Sequence, residues 1–541
     1  MSLCSVCKKN TAVVFVNRVV DGKPQLEGLC LSCAKERGIN PLSSMMKQYG
    51  ASDEDIENLN EQFEEIVSSL SGESELPEEL AEELNMDDPN SPFSSMLSNL
   101  FPNMNSQQND SENVEKISEY GGRLYLVGGA VRDMLLGLTP KDYDYCVTGF
   151  EKEQFAELFP EAKVQGKSFP VFVIDGNEYA LARREKKTAI GHNGFEMIAD
   201  KSITIEDDLK RRDITINSIA IDVLTREFVD PFGGRDDLKA KVIRATSEAF
   251  LEDPLRVYRT ARFASQLSEV NLMKMNKINT LNEKCFSVEP HTLELMNKCK
   301  EELDTLSSER VFAELEKALK TKKPSMFFDV LRAANVLDVH FKEVYDLIGV
   351  EQPLKYHPEG DVYNHTMDVI DRIAESTDDP YIVFSGLVHD LGKALTPRDE
   401  WPHHIGHEKN SDVPLRNLCK RLNVPTRWYK VGLVACREHM RAGIFDEMTT
   451  KKKVDFITRI HASRMSLHDM EILANADKNS EIKVEFAKIG EEMVKVINAK
   501  DYPKDMDFNI LKERLRNRRI KWLRKKEEYL SREEGYDELQ K

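Results

Sequence analysis

Leu126-Val-Gly-Gly-Ala-Val-Arg-Asp-Met-Leu-Leu-Gly137 is followed closely by Lys141-Asp-Tyr-Asp-Tyr145. The pattern predicts a strand, a Gly-rich turn, a short helix and a second strand carrying Asp142 and Asp144. In a strand, residues two apart share a face. Two carboxylates on one face suit a pair of hard cations such as Mg²⁺. The turn at Gly128 and Gly129 lets backbone N–H groups approach a phosphate at the start of a helix. These parts describe a site where metal ions hold a nucleoside triphosphate. A lone Asp-x-Asp pair carries little weight; the glycine turn beside it supplies the specificity.

The chain of 541 residues is too long for one core, so several domains are expected. Hydrophobic content of 40% and charged content of 31% fit a soluble, largely helical protein. No apolar run approaches the roughly 18–20 residues of a membrane span, and the N-terminus lacks a signal-peptide pattern. The nine cysteines include two Cys-x-x-Cys pairs, which point to metal binding in a reducing cytoplasm, with no membrane association. A net charge of −18 argues superficially against a nucleic-acid partner, but residues 51–115 hold 18 Asp/Glu and no Lys or Arg. The rest is nearly balanced, so local basic surfaces remain able to hold RNA phosphates.

Residues 1–40 contain Cys4-x-x-Cys7 and Cys30-x-x-Cys33, a spacing that suits a tetrahedral Zn²⁺ site on two tight turns. Ala12–Val20 and Gln25–Leu29 read as a hairpin around Asp21-Gly22-Lys23. Residues 41–115 read as an acidic linker. Residues 116–249 alternate strands and helices: a helix over Lys152–Phe159, a hairpin of Phe169–Asp175 with Glu178–Arg183, and an irregular, mobile, basic loop over 183–194. Arg211-Arg212-Asp213 offers charged forks for a triphosphate. Residues 250–350 read as helical. There Pro254 starts a helix after Asp253, and Arg256, Arg259 and Arg262 form a basic stripe. An acceptor at Asp253 with a donor at Arg256 can read a base edge as a complementary strand would.

Gly128-Gly-Ala-Val-Arg-Asp133, Asp142-x-Asp144, Arg211-Arg-Asp-Ile-Thr-Ile-Asn217 and Glu252-Asp-Pro-Leu-Arg256 occur in this order. In that order they resemble class II tRNA nucleotidyltransferases, the CCA-adding enzymes, whose near relatives are bacterial poly(A) polymerases. The resemblance spans roughly residues 122–480. It implies a multidomain α+β protein with a polymerase-β-like head and an all-helical neck and body. It implies that Asp142 and Asp144 bind Mg²⁺ and are catalytic. It also implies that Gly128, Gly129, Arg132, Arg212, Arg259 and Arg262 contact the triphosphate or sugar, and that Asp253 and Arg256 read CTP and ATP. The implied activity is untemplated addition and repair of the 3′-terminal CCA of tRNA.

Residues 351–480 carry His365, His389-Asp390, His404, His407, His439 and Asp477, a mixed N/O divalent-metal set spread over successive helices. This series resembles an HD phosphohydrolase domain. In multifunctional CCA proteins such a domain follows the transferase half, which implies a phosphatase or 2′,3′-cyclic phosphodiesterase using Ni²⁺ or Mn²⁺. The zinc segment resembles the N-terminal zinc ribbons of Clp-type unfoldases, which implies a protein contact. Residues 481–541 include Leu511–Lys526 with nine Lys/Arg, a basic helix suited to the tRNA backbone or to plain solvation. Alternatives stay open at this point: an A-adding transferase, a poly(A) polymerase, or an RNA-binding adaptor linked to a protease or chaperone system.

Overall fold

The computed structural model describes residues 14–20, 23–29, 108–166, 170–187, 195–198, 200–275, 286–355, 357–480, 482–503 and 505–538. The chain divides into two units, residues 1–105 and residues 106–541. In the first, β1 (Val14–Val20) pairs antiparallel with β2 (Lys23–Leu29). The expected hairpin is present, with its second strand starting two residues earlier. Cys4, Cys7, Cys30 and Cys33 lie outside the described residues.

The second unit opens with α1 (Gln108–Glu119), so the transferase half begins inside the stretch read as linker. It continues through β3 (Arg123–Val127), α2 (Gly129–Leu135), β4 (Asp144–Thr148), α3 (Lys152–Leu158), β5 (Lys163–Gln165), β6 (Val171–Ile174) and β7 (Asn177–Leu181). Then come β8 (Arg184–Lys187), β9 (Phe195–Ile198), α4 (Ile205–Lys210), β10 (Ala220–Asp222), β11 (Phe228–Val229) and α5 (Gly234–Ala240). Seven strands form one mixed sheet in the order β11-β10-β3-β4-β7-β6-β5. Only β4 and β7 run parallel within it. Continuous burial in the middle of β3 and β4 marks the centre of the sheet, and the exposed β5 marks one edge.

Two expectations are corrected here. The strand after the glycine turn starts at Asp144, and Asp142 sits in the bend before it, so the pair is not carried on one strand face. Register places Asp144 opposite Val127, beside Gly128. The described part of the stretch 183–194 is also more regular than its composition implied. Its first part forms β8, paired antiparallel with β9. An ion pair of Arg184 with Asp207 at 2.6 Å ties this ladder to α4.

Apart from a short parallel pairing of Val242–Ile243 with Ser287–Val288, the rest is mainly helical: α6 (Leu255–Met275), α7 (Pro290–Lys298), α8 (Ser308–Ala318), α9 (Ser325–Ala333), α10 (Val362–Ser376) and α11 (Pro380–Val388). After these come α12 (Asp412–Arg421), α13 (Thr426–Gly443), α14 (Thr450–His461), α15 (Leu467–Lys478), α16 (Ala487–Val496) and α17 (Phe508–Glu538). Local caps explain several starts. Asp361 accepts from Asn364 N ahead of α10, and Asp379 accepts from Tyr381 N with Pro380 in the first turn of α11. Ser466 and Asp469 form a capping box on α15. The basic helix α17 packs on α14 and α16, with Arg516 paired to Asp455 at 2.6 Å and Lys526 to Glu492 at 3.1 Å.

Candidate active sites

Every head and neck residue singled out above lines one cleft of about 810 Å³. Gly128 has φ +74°, which an L side chain rarely adopts, and Arg212 Nη1 lies 3.0 Å from where its Cβ would stand. The guanidinium of Arg212 therefore sits over the turn. Its Nε is buried and has no hydrogen-bond partner, a donor left facing the site. Burial first, and the neighbouring Asp142 second, raise the pKa of Asp144 above its ordinary value, while Arg212 pulls it down. A carboxylate destabilised in this way is one that a divalent cation stabilises, so the pair fits metal.

The arginines are held from behind. Arg132 donates to Asn217 Oδ1 at 2.8 Å and to Asp133 at 2.7 and 2.9 Å. Asp208 is 1% exposed and pairs with Arg211 at 2.6 Å and Arg212 at 3.2 Å. Asp213 takes Arg259 at 2.7 Å, and Glu314 takes Arg262 at 2.5 Å. Burial opposes the charge on Asp208 and Asp213, but the arginines outweigh it and hold both carboxyls below the usual range. Asp253 and Arg256 are both in the cleft, yet they do not pair through their side chains. Arg256 is buried and donates to the carbonyls of Ala249 and Arg211, while Asp253 lies 3.4 Å from Arg310. Glu314 and Arg310, both in α8, were not read from the sequence. Their spacing of four residues on one helix face was the available signal.

In the helical half, His365, His389, Asp390, His407, His439 and Asp477 converge. His389 Nε2 lies 3.1 Å from Asp390 Oδ2 and 3.6 Å from Asp477 Oδ1. His365 Nε2 lies 3.0 Å from Asp477 Oδ1 and 3.8 Å from Asp390 Oδ2. On the other side, Asp390 Oδ1 lies 3.2 Å from His407 Nε2 and 3.4 Å from His439 Nε2. Asp390 thus gives one oxygen to each of two groups that could hold a metal ion.

The tautomers follow from the partners. Nδ1 of His389, His407 and His439 contacts the carbonyls of Gly386, His404 and Ala435 at 2.7, 2.9 and 2.9 Å. A carbonyl can only accept, so Nδ1 carries the proton and Nε2 turns its lone pair inward. Two such lone pairs, on His407 and His439, face each other at 3.2 Å. His389 Nε2 and Asp390 Oδ1 are buried without a hydrogen-bond partner. Inward lone pairs around a carboxylate require a cation, so these residues fit divalent metal. Burial disfavours a second proton on His389, but Asp390 and Asp477 outweigh it and raise the pKa to about 10, so a proton occupies the Nε2 lone pair wherever no cation does. Gly392 permits this assembly, because a Cβ there would overlap the carbonyl oxygen of His407.

His404 is corrected: it does not join the cluster. Its ring nitrogens contact Thr396 Oγ1 at 2.6 Å and the Glu351 carbonyl at 2.7 Å, which leaves no lone pair for metal. The sequence reading also passed over Glu359, which binds His365 Nδ1, His357, which packs edge-on against His365, and Lys393, whose Nζ is 2.6 Å from Asp390 Oδ2.

Both halves of the chain are similar to known proteins. Residues 124–244 match the model of the poly A polymerase head domain. Residues 285–347 match the "Probable RNA and SrmB- binding site of polymerase A", and residues 362–477 match the HD domain. A protein of Xanthomonas oryzae pv. oryzae (strain MAFF 311018) called multifunctional CCA protein is 39% identical over 399 residues, covering 71% of this chain and 93% of that protein. One of the same name from Shewanella frigidimarina (strain NCIMB 400) is 43% identical over 321 residues, covering 59% of this chain and 73% of that protein. A solved CCA-adding enzyme, apo form II, superposes with a TM-score of 0.50 at 20% identity, covering 75% of this chain and 89% of that one. A complex of a CCA-adding enzyme with ATP gives the same TM-score and identity, covering 77% and 90%. Fold and sites together define a nucleotidyltransferase head joined to an HD-type metal domain. The chain belongs to the multifunctional CCA protein family.

Because Asp390 serves both ligand groups, Asp390→Ala is expected to leave purified protein with near-zero metal after reloading and desalting, while His439→Ala keeps part of it. Mass-spectrometric metal counting checks this, and wild-type metal content in Asp390→Ala would refute the shared-ligand assignment.

Proposed function

We propose that this chain adds and repairs the 3′-terminal CCA of tRNA, using CTP and ATP and no nucleic-acid template. The observation that carries the reading is the meeting of the glycine turn, the Asp142/Asp144 pair and the arginines in one cleft. It is a tRNA nucleotidyltransferase with an HD domain of the phosphohydrolase kind.

Asp142 and Asp144 would hold Mg²⁺, which would lower the pKa of the attacking 3′-hydroxyl and offset charge on the departing pyrophosphate. Backbone N–H groups after Gly128 face the phosphates at the start of α2. Arg132, Arg212, Arg259 and Arg262 fix the triphosphate in line, and their buried partners set their directions before the nucleotide arrives. Asp253 supplies the acceptor that reads the base amino group. Positioning and charge complementarity carry most of such a transfer.

In the HD half, His365, His389, Asp390, His407, His439 and Asp477 would hold a transition metal such as Ni²⁺ or Mn²⁺. There it would activate water toward a phosphate monoester or a 2′,3′-cyclic phosphate. The outward cations of α17, Arg514, Lys521, Arg524 and Lys525, are exposed and suit the tRNA backbone. We assign the four N-terminal cysteines to Zn²⁺ and a protein contact, in a cytoplasmic enzyme. Zinc analysis of wild type against Cys4→Ser decides the first part, and equal zinc in both overturns it.

The two halves predict reciprocal phenotypes. Asp142→Ala with Asp144→Ala should lower nucleotide incorporation into tRNA lacking CCA by about 10³-fold or more, with cyclic phosphodiesterase activity retained. His389→Ala with Asp390→Ala should abolish the metal-dependent hydrolysis and spare CCA addition. Sizing the extended tRNA on a gel and assaying hydrolysis in parallel checks both. Retained incorporation in the first variant sinks the site assignment.

A further inference from the structure

A second cavity, of about 520 Å³, lies outside both the nucleotide cleft and the HD centre. Thr426, Arg427 and Lys430 of α13 line it, together with Ser463 and Arg464 from the turn between α14 and α15. Its lining holds three cations and two hydroxyls and no carboxylate. Among the described residues, none of the three cations has a carboxylate partner. The nucleotide cleft is built differently, because Asp208, Asp213 and Glu314 compensate its arginines from behind. A concave surface of one sign without such compensation attracts an anion from outside.

Arg427 is nevertheless held in place. Its guanidinium lies 4.0 Å from the centroid of the Tyr381 ring, and Tyr381 packs on Trp428 at 4.5 Å. Stacking fixes the plane of a guanidinium and leaves its N–H donors in that plane for an acceptor. Such a planar fork matches two oxygens of a phosphate. Thr426 and Ser463 add hydroxyl donors.

The position of the pocket says which phosphate. Arg310 lines the nucleotide cleft from α8, and Glu314, one turn on, holds Arg262 there. The opposite side of α8 meets the chain that leads into α13. Phe312 packs edge-on against Trp428 at 5.2 Å, Ser308 donates to the Arg421 carbonyl at 2.7 Å, and Asn423 donates to Glu309 at 2.7 Å. Trp428 is buried toward α8, while Arg427 and Lys430 beside it are exposed. Two helices therefore stand between cleft and pocket, roughly 20 Å at 10–12 Å per helix. A stacked strand covers that span in about six nucleotides at about 3.4 Å each, within the acceptor end of a tRNA.

We propose that this pocket is a phosphodiester-binding site on the HD domain, holding the backbone of the tRNA whose 3′ end lies in the nucleotide cleft. This rests on the tRNA reading given above. Arg427 grips one phosphate as a fork, and Lys430 and Arg464 neutralise that phosphate and its neighbours. The contact is to backbone, so it fixes register and carries no sequence preference. The HD domain thereby holds the same RNA that the transferase half extends.

The test is tRNA binding by fluorescence anisotropy across a salt series, on the full chain. Wild type is compared with the triple variant Arg427→Gln/Lys430→Gln/Arg464→Gln and the double variant Lys430→Gln/Arg464→Gln. The double variant keeps the stack on Tyr381 and serves if the triple variant fails to fold. The proposal expects Kd for tRNA to rise about 10-fold or more in the triple variant, and the slope of log K against log salt to shrink by about 2–3, with a smaller change in the double variant. KM for tRNA in CCA addition should rise in parallel, with kcat and the KM values for CTP and ATP unchanged. Titration with inorganic phosphate alone separates the two sources of the anion. Phosphate binding that the triple variant loses while its tRNA affinity stays at wild-type level makes the pocket a free-anion site and overturns the proposal. Unchanged tRNA affinity and slope without phosphate binding overturn it too. The binding arm contains no nucleotide. A wild type that binds tRNA but extends it with neither CTP nor ATP therefore sinks the transferase reading, and the slopes still decide this one. A wild type that binds no tRNA overturns both.

Discussion

The transferase half rests on one electrostatic constraint: many guanidinium groups are gathered around one cleft and must not repel one another apart. Arg132, Arg211, Arg212, Arg259, Arg262 and Arg310 all line it. Like charges at such spacing cost roughly 1–4 kcal/mol per close pair near a protein surface. Buried acceptors on the far side offset this. Asp208 takes Arg211 and Arg212, Asp213 takes Arg259, Glu314 takes Arg262, and Asn217 takes Arg132. Each arginine thereby has its stem fixed and its direction set, while the cleft surface stays positive toward a polyanion. The same device accounts for the dense charge of residues 206–213, which is an internal network more than a solvated helix face.

The HD half solves the opposite problem. Its centre is rich in acceptors, and the scaffold keeps them apart by orientation. Main-chain carbonyls at Gly386, His404 and Ala435 turn three imidazoles the same way, and Glu359 does so for His365. Burial opposes ionisation of Asp390 and Asp477, yet His389 and its neighbours hold both well below the ordinary carboxylate range. The two halves thus present complementary surfaces: a cationic cleft for triphosphate and an acceptor-lined centre for metal.

What the sequence made legible was whatever is encoded locally. The glycine turn, the Asp-x-Asp pair, the Arg-Arg-Asp run and the His-Asp step each sit within a few residues, so spacing alone marked them. Asp208 and Asp213 were visible only as part of a charge run, because nothing local says that they point inward. Arg310 and Glu314 left only a weak local signal, their spacing on one helix face, because their partners Asp253 and Arg262 lie more than fifty residues away in the chain. His404 failed for the converse reason. Its neighbour His407 made it look like a ligand, but the turn before His407 aims it at Thr396 and Glu351. Asp142 misled the strand assignment because alternation two residues apart also fits a bend leading into a strand.

The claim that inner carboxylates make the arginine cluster possible is tested most directly by a double-mutant cycle on Asp213 and Arg259. The account predicts that Asp213→Asn destabilises the protein by about 2 kcal/mol in urea unfolding, below the ~3–5 kcal/mol of a fully enclosed pair. The reduction reflects Arg259, whose side chain is 36% exposed. Adding Arg259→Met to Asp213→Asn should restore most of that loss, because the uncompensated cation is gone. Full stability in Asp213→Asn, or no recovery in the double variant, would contradict it.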